Sequence, residues 1–432
     1  MSILLKTRTP KQNLIKHSDE PPAPLRDRRL MLFDLALGGH HGNYIRHLID
    51  YWCEQNLPGN LDIVVAPEFF EVHYEVAEAI AQYQHPKIKL VAIATTEATA
   101  LRVRGSAWDR VGRNLQEWRL YCHYAKLLQA SHSLLMYLDT SEIPLSLGKG
   151  SPCPFSGIYF RPTFHYDSFQ DRAASKKEKL QHLRERFTLS RILANPQLKN
   201  LFCLDPFAIK HLNQFKTQAR VQHLPDPVEI DPSNLDSSGL KQQLKIESGR
   251  KVFLLFGALD ERKGVAQLLE AIAELPTQLC QKICLLIVGG THKTIQDDIQ
   301  RKLEPIRATK PVQIIEKYEF IPEPEVSNYF QLTDVVLAPY QRHVGMSGIL
   351  LLAAAAGKPV LSSNYGLMGE MVRRYELGIG VDSTLPQEIA DGLTECLRRS
   401  PQDWGNQSKM QTFVRQNSVN NYTKVIFNSI KY

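Results

Sequence analysis

The chain predicts two doubly wound α/β domains, each a parallel sheet covered by helices, that face one another across a cleft. Three observations lead there. At 432 residues the chain exceeds what one core organises comfortably, and two domains of about 200 residues each are the natural division. Short apolar runs alternate with helix-period segments from Arg29 onward, the pattern of parallel strands joined by helical crossovers. The alternation stops once, at the Pro-, Asp- and Ser-rich PDPVEIDPSNLDSSG (225–239), and then restarts. The division that follows is a flexible arm over 1–28, a Rossmann-like N-terminal domain over 29–224, a linker over 225–249, a Rossmann-like C-terminal domain over 250–400, and closing helices over 401–432. A ligand site in such a pair belongs in the cleft, at the carboxyl ends of the strands.

In the first half, RLMLFDLAL (29–37) reads as a strand that runs into Gly38-Gly39-His40-His41-Gly42-Asn43. Tyr44, Leu48, Ile49 and Trp52 then follow a helical period. Strands are expected at 61–67, 88–94, 133–139, 156–162, 199–205 and 219–225, with helices near 74–83 and 107–130. Residues 172–193 form a basic helix in which lysines and arginines outnumber Glu178 and Glu185. It reads as a solvated surface helix, with a membrane or partner face as the alternative.

The second half gives strands at 251–257, 282–290, 312–318, 334–338, 359–362 and 376–382, then two terminal helices. Its most informative stretch is TDVVLAPYQRHVGMSGILLLAAAAGKPVLSSNYG (333–366). A buried strand leads into the polar loop Gly345-Met346-Ser347-Gly348 and then into a helix that is apolar all round. Glycine lets the backbone approach a ligand, and Ser347 is suited to the N-cap. The N–H groups at such a helix start suit a phosphate. An ordinary strand–loop–helix without a ligand is the competing reading.

Four polar clusters fall after strands. Gly38 to Asn43 offers backbone to a pyrophosphate or a sugar. Asp260-Glu261-Arg262-Lys263-Gly264 places Lys263 where it would neutralise a departing diphosphate; alternatively it is a solvent-facing helix-start residue. Arg342 and His343 adjoin the 345–348 loop. Asp139, Arg161 and His165 gather at two neighbouring strand ends, as a base or hydroxyl-binding group for an acceptor, or in the case of Asp139 as a turn cap.

The net charge of +7 favours anionic ligands and is too small to argue for nucleic acid. Seven cysteines without a zinc-type spacing read as reduced thiols of a cytoplasmic protein. The polar, basic start reads as neither signal peptide nor membrane span, and no later apolar run is long enough to cross a bilayer. Walker A, HExxH, GxSxG and kinase signatures are absent, and the first turn lacks GxGxxG.

These pieces in this order resemble the GT-B glycosyltransferases of the retaining family-4 type. The resemblance covers about Arg29 to the C-terminus and is clearest from Pro225 to Asp382. It rests on GGHHGN, Pro225-Asp226-Pro227, FGALDERKG, the Val288–Gly290 strand end, Thr333–Tyr340 and the AxGKPV segment Ala355–Val360. It implies transfer of a sugar from a nucleotide-sugar donor to a glycan, lipid or small-molecule acceptor, with retention. Arg262, Lys263 and the Gly345–Gly348 loop would hold the diphosphate, with Gly38 and Gly39 facing it. His40, His41, Asn43, Arg161 and His343 would contact sugar or acceptor, and Lys263, Asp139 and His165 would serve catalysis. The last helix would cross back to the first domain. No metal or other cofactor is required, since lysine and helix-start N–H groups can balance the diphosphate. The chain departs from the pattern at the Glu-x7-Glu positions, which are Val344 and Leu352, and at the usual arginine, which is Ala258. Asp139 stands where the usual histidine would. The alternative those departures support is a catalytically inactive GT-B protein that binds or regulates a partner; a sugar-nucleotide epimerase is a third.

Overall fold

A computed structural model of the chain describes residues 28–39, 41–83, 85–101, 106–169, 175–228, 237–400 and 403–431. The expected arm over 1–28, apart from Arg28, and His40 lie outside the described residues.

Among the described residues, thirteen strands form two parallel sheets. The first contains β1 (Arg29–Asp34), β2 (Asn60–Val65), β3 (Ile88–Ala92), β4 (His132–Leu135), β5 (Phe155–Tyr159), β6 (Leu198–Cys203) and β7 (Arg220–His223). The second contains β8 (Lys251–Phe256), β9 (Ile283–Val288), β10 (Gln313–Lys317), β11 (Val335–Ala338), β12 (Val360–Ser363) and β13 (Gly378–Val381). Their orders are β3-β2-β1-β4-β5-β6-β7 and β10-β9-β8-β11-β12-β13. Each sheet therefore reverses its winding once, between β1 and β4 and between β8 and β11. The loops that leave these central strands diverge, and the gap between them is where such sheets take ligands.

The strands are apolar on both faces because helices cover both. In β1, Met31 and Phe33 join one core layer while Leu30 and Leu32 join the other, as the two-residue strand period requires. The C-terminal sheet repeats the arrangement with Val252 and Leu254 opposed to Phe253 and Leu255.

Two chain crossings link the domains, and they pair with each other. Val228 N–H donates to Asn417 O at 3.0 Å, and Asp226 N–H donates to Asn417 Oδ1 at 3.0 Å. Tyr44 Oη, from the first helix, donates to Asp226 Oδ1. Just past that junction the helix Val419–Ile430 packs Tyr422, Ile426 and Phe427 into the N-terminal core, with Phe427 stacked 5.4 Å from Tyr51.

Several boundaries differ from expectation. Ser237–Gln243 is helical, and Leu240, Leu244 and Ile246 pack against the C-terminal core. A helix at Gly366–Tyr375 separates β12 from β13, and among the described residues three helices, Pro386–Arg398, Gln407–Gln416 and Val419–Ile430, follow β13 where two were expected. Strand β4 stops at Leu135, so Asp139 lies in a 3-10 turn at Leu138–Ser141 rather than at a strand end. No described helix is long and apolar enough to cross a membrane.

Candidate functional site

Lys263 is drawn inward by the loop that follows β8. Gly264 makes this possible: its φ is +71°, and a Cβ there would lie 2.1 Å from Pro339 O. The chain can thus fold tightly against the segment leaving β11. Lys263 is only 6% exposed; its Nζ donates to Phe256 O at 2.9 Å and to Tyr340 Oη, and sits 4.4 Å from the Tyr340 ring centroid. It is therefore not the solvent-facing residue of the competing reading. The Arg262 guanidinium covers the same ring at 5.3 Å, reaches His343 Nδ1 at 3.3 Å and lies 3.5 Å from Asp260. Burial pulls the His343 pKa down to about 4; the Met346 carbonyl pulls it up, and the charges of Arg262, Lys263 and Arg161 pull it further down. His343 is neutral at pH 7, and the group around it is cationic.

The loop after it faces the other domain. Gly345, with φ +92°, donates its N–H to Tyr166 Oη at 3.1 Å, and a Cβ there would stand 2.9 Å from Phe160 O and 3.6 Å from Arg161 Cγ. Met346 packs against the cores of both domains. Ser347 occupies the N-cap position of the helix Gly348–Ala355, but its hydroxyl makes no capping bond. Val344 and Leu352 are partly buried against the C-terminal core.

On the N-terminal side, Asp139 accepts the N–H groups of Phe160 at 3.0 Å and Arg161 at 3.1 Å. Burial pushes its pKa up to about 6, against the pull of those bonds and of Arg161. Both oxygens are engaged by backbone, so the geometry gives Asp139 the role of holding the Arg161 turn. Arg161 lies over Tyr137 at 5.7 Å. His41 stacks on Phe160 at 5.9 Å and binds Asp34 Oδ2 through Nδ1 at 2.7 Å. Burial lowers the His41 pKa, yet the hydrogen bond and charge of Asp34 outweigh it and the net shift is upward.

Comparison with known proteins places this architecture. Residues 236–411 match the family model "Glycosyl transferases group 1". An uncharacterized glycosyltransferase of Methanocaldococcus jannaschii is 26% identical over 206 residues, 45% of this chain and 50% of that protein. The chain spans half or less of the length of the curated relatives it matches. The N-terminal domain of Candida albicans trehalose-6-phosphate phosphatase superposes with a TM-score of 0.69 at 13% identity, over 95% of this chain and 98% of that one. Anabaena HepE in complex with UDP and glucose gives 0.62 at 12%, over 94% and 99%. The fold is GT-B.

At the contact between the two domains, Gly345 and Met346 meet Phe160 and Arg161, with Arg262, Lys263 and His343 grouped behind the same loop. His41 joins through Phe160. Gly38 and Gly39 are exposed, and a Cβ on either would meet nothing within 4 Å. Asn43 lies in the first turn of the helix His41–Glu54. His165, expected among the catalytic residues, is placed elsewhere. Its side chain is fully closed to solvent among Tyr166, Phe169 and His211. Nε2 lies 3.0 Å from Asp205 Oδ2, an ion-pair distance outside hydrogen-bonding direction. Asp205 Oδ1 accepts the N–H groups of Phe207 and Ala208. A residue so enclosed supports the core and presents no atom to a ligand.

Three buried residues that hold these groups in place were not singled out from the sequence. Tyr340 carries both cations; its signal was an aromatic residue directly after a strand-terminal proline. Asp34 orients His41; its signal was a carboxylate closing an apolar strand before a glycine turn. Tyr166 had no local signal.

Proposed function

We propose that the chain transfers a sugar from a nucleotide-sugar donor to a glycan, lipid or small-molecule acceptor, with retention at the anomeric carbon. The observation that carries this reading is the pairing of Lys263 and Arg262 on Tyr340 beside the Gly345–Gly348 helix start, opposite Arg161. When the bond from the sugar to the diphosphate breaks, charge gathers on the departing oxygens. Fixed cations and helix-start N–H groups stabilise that charge without reorganising. The family match over 236–411 covers this half of the site and supports the same reading. That a neighbour of the same fold holds UDP and glucose makes a nucleoside diphosphate the ligand class to test first. The acceptor would enter beside His41, whose Asp34 partner orients the ring.

Val344 and Leu352 offer the donor sugar no carboxylate, so its hydroxyls must be held by other groups. The test is thermal stabilisation across UDP, GDP, ADP, TDP and CDP, with and without magnesium, followed by sugar-nucleotide turnover with the nucleotide that binds. Binding to the native state raises apparent stability by mass action. A shift by one nucleotide that disappears in Lys263→Ala is the expected result. No shift with any nucleotide rejects the donor site, and binding without transfer or hydrolysis rejects the enzyme reading in favour of a binding protein.

A further inference from the structure

The helix Lys176–Leu193 divides its residues sharply. Inward lie His182, Leu189, Ile192 and Leu193, all buried. Both acidic residues are engaged by the protein's own groups. Glu185 accepts Tyr159 Oη at 2.8 Å and Thr163 N–H at 2.8 Å. Glu178 closes the capping box by accepting Ser175 N–H at 2.8 Å, and lies 4.0 Å from Arg342.

Outward the composition reverses. Leu180, Leu183 and Phe187 are 69%, 66% and 67% exposed. Their spacing of three and then four residues sets them in one line along the helix. Around that line Lys176, Lys177, Lys179, Arg184, Arg186 and Arg191 are all exposed. The adjoining loop extends the apolar line: Arg191 Nε donates to Ser146 O at 3.3 Å, and the next residue, Leu147, is 64% exposed.

A solvated surface helix has no reason to show three large apolar side chains in register. A second copy of the same face is disfavoured, because it would set six cations against six. An anionic bilayer surface matches both features: apolar side chains enter the acyl boundary while lysine and arginine heads reach the headgroups. We propose that the outward face of this helix docks on an anionic lipid surface. The docking is independent of the transferase reading. It has a geometric consequence for the cleft, because the first turn of the helix meets Arg342, which precedes His343. A docked chain holds that side of the cleft mouth against the bilayer.

The experiment is co-sedimentation of the full chain with vesicles of phosphatidylcholine alone and of phosphatidylcholine mixed with phosphatidylglycerol, at low and high salt. Binding to the mixed vesicles only, released by salt, is expected. The double variant Leu183→Ser/Phe187→Ser is expected to weaken that binding by roughly tenfold or more. Its melting temperature should stay unchanged, since both side chains are largely exposed. Lys179→Glu/Arg184→Glu should abolish binding while leaving the fold intact. Three results overturn the proposal: no binding to mixed vesicles, binding that the Leu183/Phe187 variant leaves unchanged, or a wild-type dimer in solution that the variant turns into a monomer.

Discussion

Tyr166 of the N-terminal domain accepts the N–H of Gly345 in the C-terminal domain, at 3.1 Å. The two residues are 179 positions apart. The tyrosine ring also fills the space beside Gly366, where a Cβ would lie 2.5 Å from Cε2, and it belongs to the core of the domain it reaches into. One phenol thus joins the two domains at the loop that adjoins the cation group.

Tyr166→Phe removes the hydroxyl and leaves the ring. A hydrogen bond of this kind contributes about 0.5–1.5 kcal/mol net, and that loss of unfolding free energy is expected in urea titration. Tyr166→Ala also empties the space beside Gly366 and should cost about 3–5 kcal/mol, in line with large aromatic truncations. Equal losses in the two variants would show that the ring contributes nothing.

Gly345 is expected to tolerate no side chain. At φ +92°, with Phe160 O at 2.9 Å from a Cβ, Gly345→Ala both strains the backbone and pushes the domains apart. A loss of about 1–3 kcal/mol in denaturant titration is expected. Gly38→Ala, open on every side, serves as the comparison and should change stability far less.

Lys263→Met keeps the length of the side chain and removes its charge. The variant should fold, because the aliphatic stem still fills the space against Tyr340, but nucleoside-diphosphate stabilisation should disappear. Arg262→Ala, whose guanidinium is more exposed, should weaken that stabilisation by roughly tenfold rather than remove it. A Lys263→Met protein that shows the full nucleotide shift would remove the lysine from the diphosphate site.

Acid should weaken the fold through His343. Burial, with the nearby cations, holds its folded pKa at about 4, against an ordinary value of 6.5. Between those limits the unfolded chain binds more protons, so the stabilisation present above pH 6.5 is lost as pH falls toward about 4. His47, His132 and His223, lowered to about 4 chiefly by burial, act in the same sense. His41 acts oppositely: its raised pKa gives stability that is full below 6.5 and lost as pH rises through the folded value. Asp139, raised to about 6, also acts oppositely to His343, so the check is the difference between proteins: His343→Gln should lose less melting temperature than the wild type between about pH 6.5 and 4.

The sequence by itself determined the two sheets and their helical crossovers, because strand and helix periods are local and each apolar run states its own burial. The end of the linker was not legible, since the Ser237–Gln243 helix that packs on the C-terminal core begins inside the Pro- and Ser-rich stretch. The sequence also located the Gly345–Gly348 loop and Lys263, which stand beside strands that any reader of the pattern would find. The order of the strands was not local. Only once β1 lies beside β4 do Asp34, His41, Phe160 and the Asp139 turn meet, and only once β8 lies beside β11 does Lys263 reach Tyr340. Strand order also separated residues that looked alike in the sequence. Arg161 and His165 are four positions apart, yet Arg161 is exposed beside Gly345 of the other domain while His165 is sealed against Asp205. The next residue, Tyr166, crosses to the other domain. Which side of a turn meets ligand, core or partner domain depends on chains that arrive from far along the sequence, and that depended on tertiary packing alone.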